Sequence, residues 1–121
     1  MRAGAVVAHS QSPVILEQRA RPGRVEYALD IPTDLVFFCG HFPAHPILPG
    51  VVQIKWVLEL AGSLRPAGAF AKLERLKFTR PILPAARLSL HIGALRDRPG
   101  LRFCYFDERS RYSAGHIVFA E

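Results

Sequence analysis

The sequence is poor in cysteine, in metal-ligand clusters, in long apolar runs and in blocks of like charge. Each shortage removes a class of function. Two cysteines in 121 residues, Cys39 and Cys104, are too few and too far apart for a disulfide framework or a metal cluster. They point to reduced core thiols in a cytoplasmic protein. Five histidines are present, and only His41 and His45 lie near each other. Their segment is proline-rich and extended, so positions i and i+4 do not converge and no metal site is expected. No apolar run approaches the roughly 18 residues of a membrane helix. The N-terminus carries one basic residue and a very short apolar stretch, which predicts no signal peptide. There is no glycine-rich phosphate loop and no G-x-S-x-G elbow, and no cofactor is expected. The net charge of +6 comes mostly from scattered arginine. Without a helix-turn-helix, a zinc finger or a basic-aromatic interleave, nucleic acid is not the expected partner. Such a charge suits a solvated surface or attraction to an acidic partner.

What is present is apolar patterning. Half the residues are hydrophobic, enough for one domain over residues 1–121 and for a dimer interface besides. Val14 to Arg19 reads as a first strand, and Arg21-Pro-Gly-Arg24 as a turn. Val25 to Ile31 alternates, with Val25, Tyr27, Leu29 and Ile31 on one face. Pro32-Thr-Asp34 breaks that strand. Leu73 to Arg80 reads as a strand stopped by Pro81, with Lys77 and Arg80 on alternate sides by period. Arg87 to Leu95 alternates again, with Leu88, Leu90, Ile92 and Ala94 inward. Asp97-Arg-Pro-Gly100 is a hairpin turn, followed by strands over Leu101–Phe106 and Tyr112–Ala120. Two strands, a helix, then three or four antiparallel strands define an α+β layer arrangement.

The stretch 40–59, G-H-F-P-A-H-P-I-L-P-G-V-V-Q-I-K-W-V-L-E, organises the chain. Pro43, Pro46 and Pro49 each remove a donor and keep the preceding residue out of the α region. After Pro49-Gly50 the pattern predicts a helix over 51–61, apolar on nearly every side and therefore enclosed by protein. Gln53 and the Lys55/Glu59 stripe are the exceptions. No side chain is available to cap the helix start, so its first N–H groups and positive dipole end favour a partly negative oxygen, such as that of a thioester. Gly50 allows close approach to its N–H.

These residues resemble those of the hot-dog-fold β-hydroxyacyl-acyl-carrier-protein dehydratases. H-F-P-x-x-P-x-x-P-G-V before a long apolar helix carries the resemblance, and L-K-F-T-R-P-I-L-P at 76–84 agrees with the family's strand and turn after the helix. The P-I-L-P-G-V-V-Q-x-x-W wording is similar to that of the short dehydratase-like proteins of aryl polyene gene clusters. The resemblance covers most of residues 24–95. It implies a hot-dog fold, one long buried helix wrapped by a curved antiparallel sheet. It also implies dehydration of a β-hydroxyacyl group on acyl carrier protein, in a homodimer or higher oligomer, or in a hetero-oligomer with a related dehydratase.

By the same resemblance His41 takes the α-proton, a task suited to an imidazole with pKa near 6.5; the alternative is a structural histidine. Gly50 receives the thioester carbonyl, and Phe42, Val51 and Glu59 join it in binding substrate. Lys77 and Arg80 are candidate carrier-protein contacts or plain solvated charge. Lys55 departs from the family, which has Glu or Asp fourteen positions after the motif histidine. Either Lys55 works as the proton donor from a dry tunnel, where burial lowers its pKa, or it pairs with Glu59. That departure keeps two other readings open: a catalytically degenerate subunit that partners an active dehydratase or binds acyl chains, and a hot-dog thioesterase using Glu59.

Overall fold

The computed structural model describes residues 10–38 and 46–121. Expectations for Cys39, His41, Phe42, His45 and His9 lie outside the described residues. Six strands form one antiparallel sheet: β1 (Val14–Arg21), β2 (Arg24–Asp30), β3 (Phe70–Phe78), β4 (Arg87–Ala94), β5 (Gly100–Phe106) and β6 (Arg111–Phe119). The spatial order is β1-β2-β4-β5-β6-β3, so β3 leaves the helix and lands on the far edge beside β6. The helix α1 (Gly50–Leu60) lies against the sheet.

The alternation of the sequence becomes an inner face. Val25, Tyr27, Leu29 and Ile31 are buried, as are Leu88, Leu90 and Ile92. They are joined by Leu101, Phe103 and Tyr105 of β5, and together they receive Val52, Trp56 and Val57 of α1. Gly23 supplies the positive φ of 72° that the β1–β2 turn needs. Gly62, with φ of 57°, follows the end of α1 at Ala61. Trp56 is fully buried, and its indole N–H donates to the Gln11 carbonyl at 3.0 Å. Two tyrosine hydroxyls hold the helix: Tyr105 donates to the Gln53 carbonyl at 2.7 Å, and Tyr27 to the Leu60 carbonyl at 2.7 Å. Burial pushes both phenols up, Tyr105 far above the usual range. Both stay neutral donors at any ordinary pH.

Three expectations need correction. The helix is not enclosed within one chain: Val51 is 75% exposed, and the Lys55 and Glu59 side chains are about half exposed, at 48% and 51%. The sheet covers one side of α1 only. Second, β3 begins at Phe70 and stops at Phe78, so Arg80 is not on a strand. Third, β3 does not alternate. Arg75, at a φ of 54°, sits in an irregularity of the β3–β6 register between Glu74 and Lys77. The extra residue lets Leu73 and Leu76, three positions apart, both pack on the core.

Candidate active site at the helix entrance

Pro46 and Pro49 have no backbone donor, so the segment entering α1 has N–H groups only at Ile47 and Leu48. The Leu48 N–H donates to the Ile82 carbonyl at 2.9 Å, tying this segment to the turn after β3. The Leu48 carbonyl accepts from the Gln53 side-chain amide at 3.2 Å. Pro49 is the N-cap and offers no side-chain bond; its carbonyl accepts from Val52 and Gln53. Among the described residues, the N–H groups of Gly50 and Val51 have no partner. They form the positive end of the helix dipole, which favours a partly negative oxygen.

Gly50 is required for packing as well as access. A Cβ at this position would lie 2.6 Å from the tip of the Phe78 ring. The end of β3 thus roofs the start of α1 with an aromatic ring that is itself half exposed. Val51, Ile47, Phe78 and Leu83 leave an apolar surface around this entrance. Phe78 lies in the L-K-F-T-R-P-I-L-P stretch, but only the register of β3 against β6 carries its ring over Gly50.

Lys55 and Glu59 form an i,i+4 pair at 4.0 Å on the uncovered side of α1. The Lys55 ammonium lies 5.9 Å from the centre of the Phe37 ring. Within one chain Lys55 is therefore a partly exposed lysine beside a carboxylate and an aromatic face, not one in a dry pocket. Lys77 is exposed on β3. Arg80 is committed elsewhere: its guanidinium binds the Asp107 carboxylate and the Ser110 hydroxyl and stacks over the Tyr112 ring at 3.8 Å. Asp107 also accepts from the Tyr112 hydroxyl at 2.7 Å, and from the backbone N–H of Arg109 and Ser110. The Tyr112 bond first, then the others, holds the Asp107 carboxyl far below the usual range. Lys77 and Arg80 do not make a matched pair of free cations. Arg80 ties the turn after β3 to the β5–β6 hairpin, and with it the Ile82 carbonyl that receives Leu48.

A helix cradled on one side by an antiparallel sheet and entered through Pro-Gly is the hot-dog arrangement that the resemblance implies. Comparison with known proteins agrees. The model of the ApeI-like family, described as ApeI dehydratase, matches residues 17–116. The chain belongs to the ApeI-like dehydratase family. It is 31% identical to 3-hydroxyacyl-acyl-carrier-protein dehydratase FabZ of Dechloromonas aromatica, over 74% of this chain and 72% of that protein. The FabZ of Novosphingobium aromaticivorans is 38% identical over 61% of this chain and 52% of that protein. Against several such relatives, including the FabZ proteins of Geobacter metallireducens and Brucella ovis, the chain spans about half of their length. Among solved structures, the dehydratase heterocomplex ApeI:P from Xenorhabdus doucetiae matches with a TM-score of 0.80 and 32% identity, covering 91% of this chain and 99% of that one. A protein from Erwinia carotovora subsp. atroseptica matches with a TM-score of 0.74 and 32% identity, over 90% and 96% of the two chains.

Proposed function

We propose that this protein removes water from a β-hydroxyacyl group carried on acyl carrier protein, giving a trans-2-enoyl thioester. The observation that carries the reading is the open N-terminus of α1 at Gly50, nine residues after His41, in a chain of the ApeI-like family. In this mechanism the thioester carbonyl rests on the Gly50 N–H, which stabilises the negative charge that develops there. His41 takes the α-proton, the electron pair forms the α–β double bond, and the β C–O bond breaks. The departing oxygen receives a proton and leaves as water. His41 and Lys55 are the groups available to supply that proton, and Phe42, Val51 and Glu59 border the acyl group.

The uncovered side of α1 supports an oligomer. Val51, Lys55 and Glu59 need cover from a second chain if Lys55 is to work out of water, with His41 of one protomer facing Lys55 of the other. A homodimer or higher homo-oligomer supplies that arrangement. The heterocomplex named for the Xenorhabdus doucetiae structure makes a related dehydratase an alternative second chain, with Lys55 marking this subunit as the degenerate one. Acyl carrier protein is the acidic partner, met by the basic surface to which Lys77 contributes. Incubating the purified chain alone with a β-hydroxyacyl carrier protein tests the reading. Mass spectrometry would detect loss of one water from the acyl group. No turnover alone, with turnover on adding the related dehydratase, would transfer the activity to the partner.

A further inference from the structure

Gln53 stands out as the polar side chain on the buried side of an otherwise apolar helix, at 3% exposure. A buried amide without partners costs more than any hydrogen bond returns, so its bonds reveal what holds it there. Its carbonyl oxygen accepts from the Ser113 hydroxyl of β6 at 2.6 Å. Its NH₂ donates to the Leu48 carbonyl at 3.2 Å. Its own backbone carbonyl takes the Tyr105 hydroxyl of β5 at 2.7 Å. One residue therefore links two strands to the segment that enters the helix.

That segment has few other means of being held. Pro46 and Pro49 donate nothing, and apart from the Pro49 carbonyl, which accepts from the first turn of α1, the two bonds at Leu48 are its polar ties to the rest of the described residues. One goes to Ile82 and the other to Gln53. The two bonds fix the peptide on either side of Leu48, two residues before the Gly50 N–H. A shift of the Leu48 peptide swings Pro49 and the first turn of α1, and a misplacement near 1 Å at a reacting centre costs about 10²-fold in rate.

We infer that Gln53 is a positioning residue for the dehydration: its amide, through its own bond to the Leu48 carbonyl, holds Leu48 so that the Gly50 N–H meets the thioester oxygen. The inference rests on the dehydratase reading for its effect on rate, but not for its effect on the segment. Ser113 and Leu48 hold opposite ends of the Gln53 amide, so they are separable.

Gln53→Met keeps an unbranched side chain of similar length and removes both bonds. Because it strands the Ser113 hydroxyl in the core, Gln53→Met/Ser113→Ala provides a second variant in which only the Leu48 carbonyl loses its partner. Ser113→Ala alone keeps the bond to Leu48. Turnover of a β-hydroxyacyl carrier protein and hydrogen exchange at the Ile47 and Leu48 amides are measured on all three and on the wild type. The expected result is kcat lower by about 10²-fold, with KM little changed, in both Gln53 variants and not in Ser113→Ala. Leu48 should exchange faster in the same two variants. If the folded double variant keeps wild-type kcat, or exchange at Leu48 is unchanged, Gln53 is a packing residue only and the inference falls. An equal loss of kcat in Ser113→Ala also overturns it, since the effect would then not pass through Leu48. Should the wild type itself show no turnover, the dehydratase reading fails, and exchange at Leu48 alone decides whether Gln53 anchors the segment.

Discussion

Replacing Gly50 by alanine places a methyl carbon 2.6 Å from the Phe78 ring tip and within 3.1 Å of two more ring carbons. Two effects on stability oppose each other. Alanine is favoured over glycine in a helix by up to about 1 kcal/mol, though less at the first position. The overlap must be relieved by moving Phe78, a half-exposed side chain at the end of an edge strand, which costs on the order of 1–3 kcal/mol if the ring leaves its rotamer and packing. The net change is a loss of about 0–3 kcal/mol, so the variant folds. Turnover responds more strongly, because the methyl group stands beside the N–H that binds the thioester oxygen. Losing one such donor costs about 10²–10³-fold in kcat. The assay is steady-state dehydration of a β-hydroxyacyl carrier protein, with thermal unfolding of the same samples. Gly50→Ala/Phe78→Ala removes the overlap while leaving the methyl group in place. If the rate loss persists in the double variant, the methyl group blocks the N–H; if the rate returns, displacement of Phe78 was the cause. A Gly50→Ala variant with wild-type kcat would refute the role of this N–H in catalysis.

Lys55→Met, which keeps the stem and removes the proton donor, should lower turnover by about 10²–10⁴-fold; an equally fast variant would end the acid role of Lys55. Lys55→Glu should gain little, since Glu59 one turn away would face a second carboxylate, and a marked gain would favour the degenerate-subunit reading. At acid pH, hydrogen bonds first from Arg98 and then from Lys72 lower the Glu74 carboxyl from its ordinary 4.5 to about 2. Its folded-state value lies below the unfolded one, so the stabilisation is full above about pH 4.5 and is lost as pH falls through about 2. Chemical denaturation of wild type and Glu74→Gln should therefore show a stability gap at neutral pH that closes near pH 2; a gap independent of pH would contradict the pairing.

Much of the sheet is legible in the sequence because strand alternation is local. The face predicted for Val25, Tyr27, Leu29 and Ile31 is the buried one, and the turn at Pro22-Gly23 is where the chain reverses. The helix start is legible too, since proline and glycine act on their immediate neighbours. What the sequence conceals is non-local. Nothing in residues 70–78 states that β3 pairs with β6, so neither the roof of Phe78 over Gly50 nor the irregularity at Arg75 is foreseeable. Arg80 reads as a free cation because its partner, Asp107, lies 27 residues away. The apolar wrap of α1 reads as full enclosure, whereas one chain covers only the side bearing Val52, Gln53, Trp56 and Val57. Gln53 carried a usable signal, a lone amide among buried apolar neighbours, but its partners at Leu48 and Ser113 required the fold.

In the proposed mechanism this chain carries out dehydration with His41 as the base. The most direct measurement compares the purified wild type with His41→Ala on one β-hydroxyacyl carrier protein, following the acyl mass over time, with circular dichroism to establish that both are folded. The expected result is conversion to the enoyl thioester by the wild type and a rate lower by about 10²–10⁴-fold in His41→Ala. Equal conversion by the two folded proteins would contradict it.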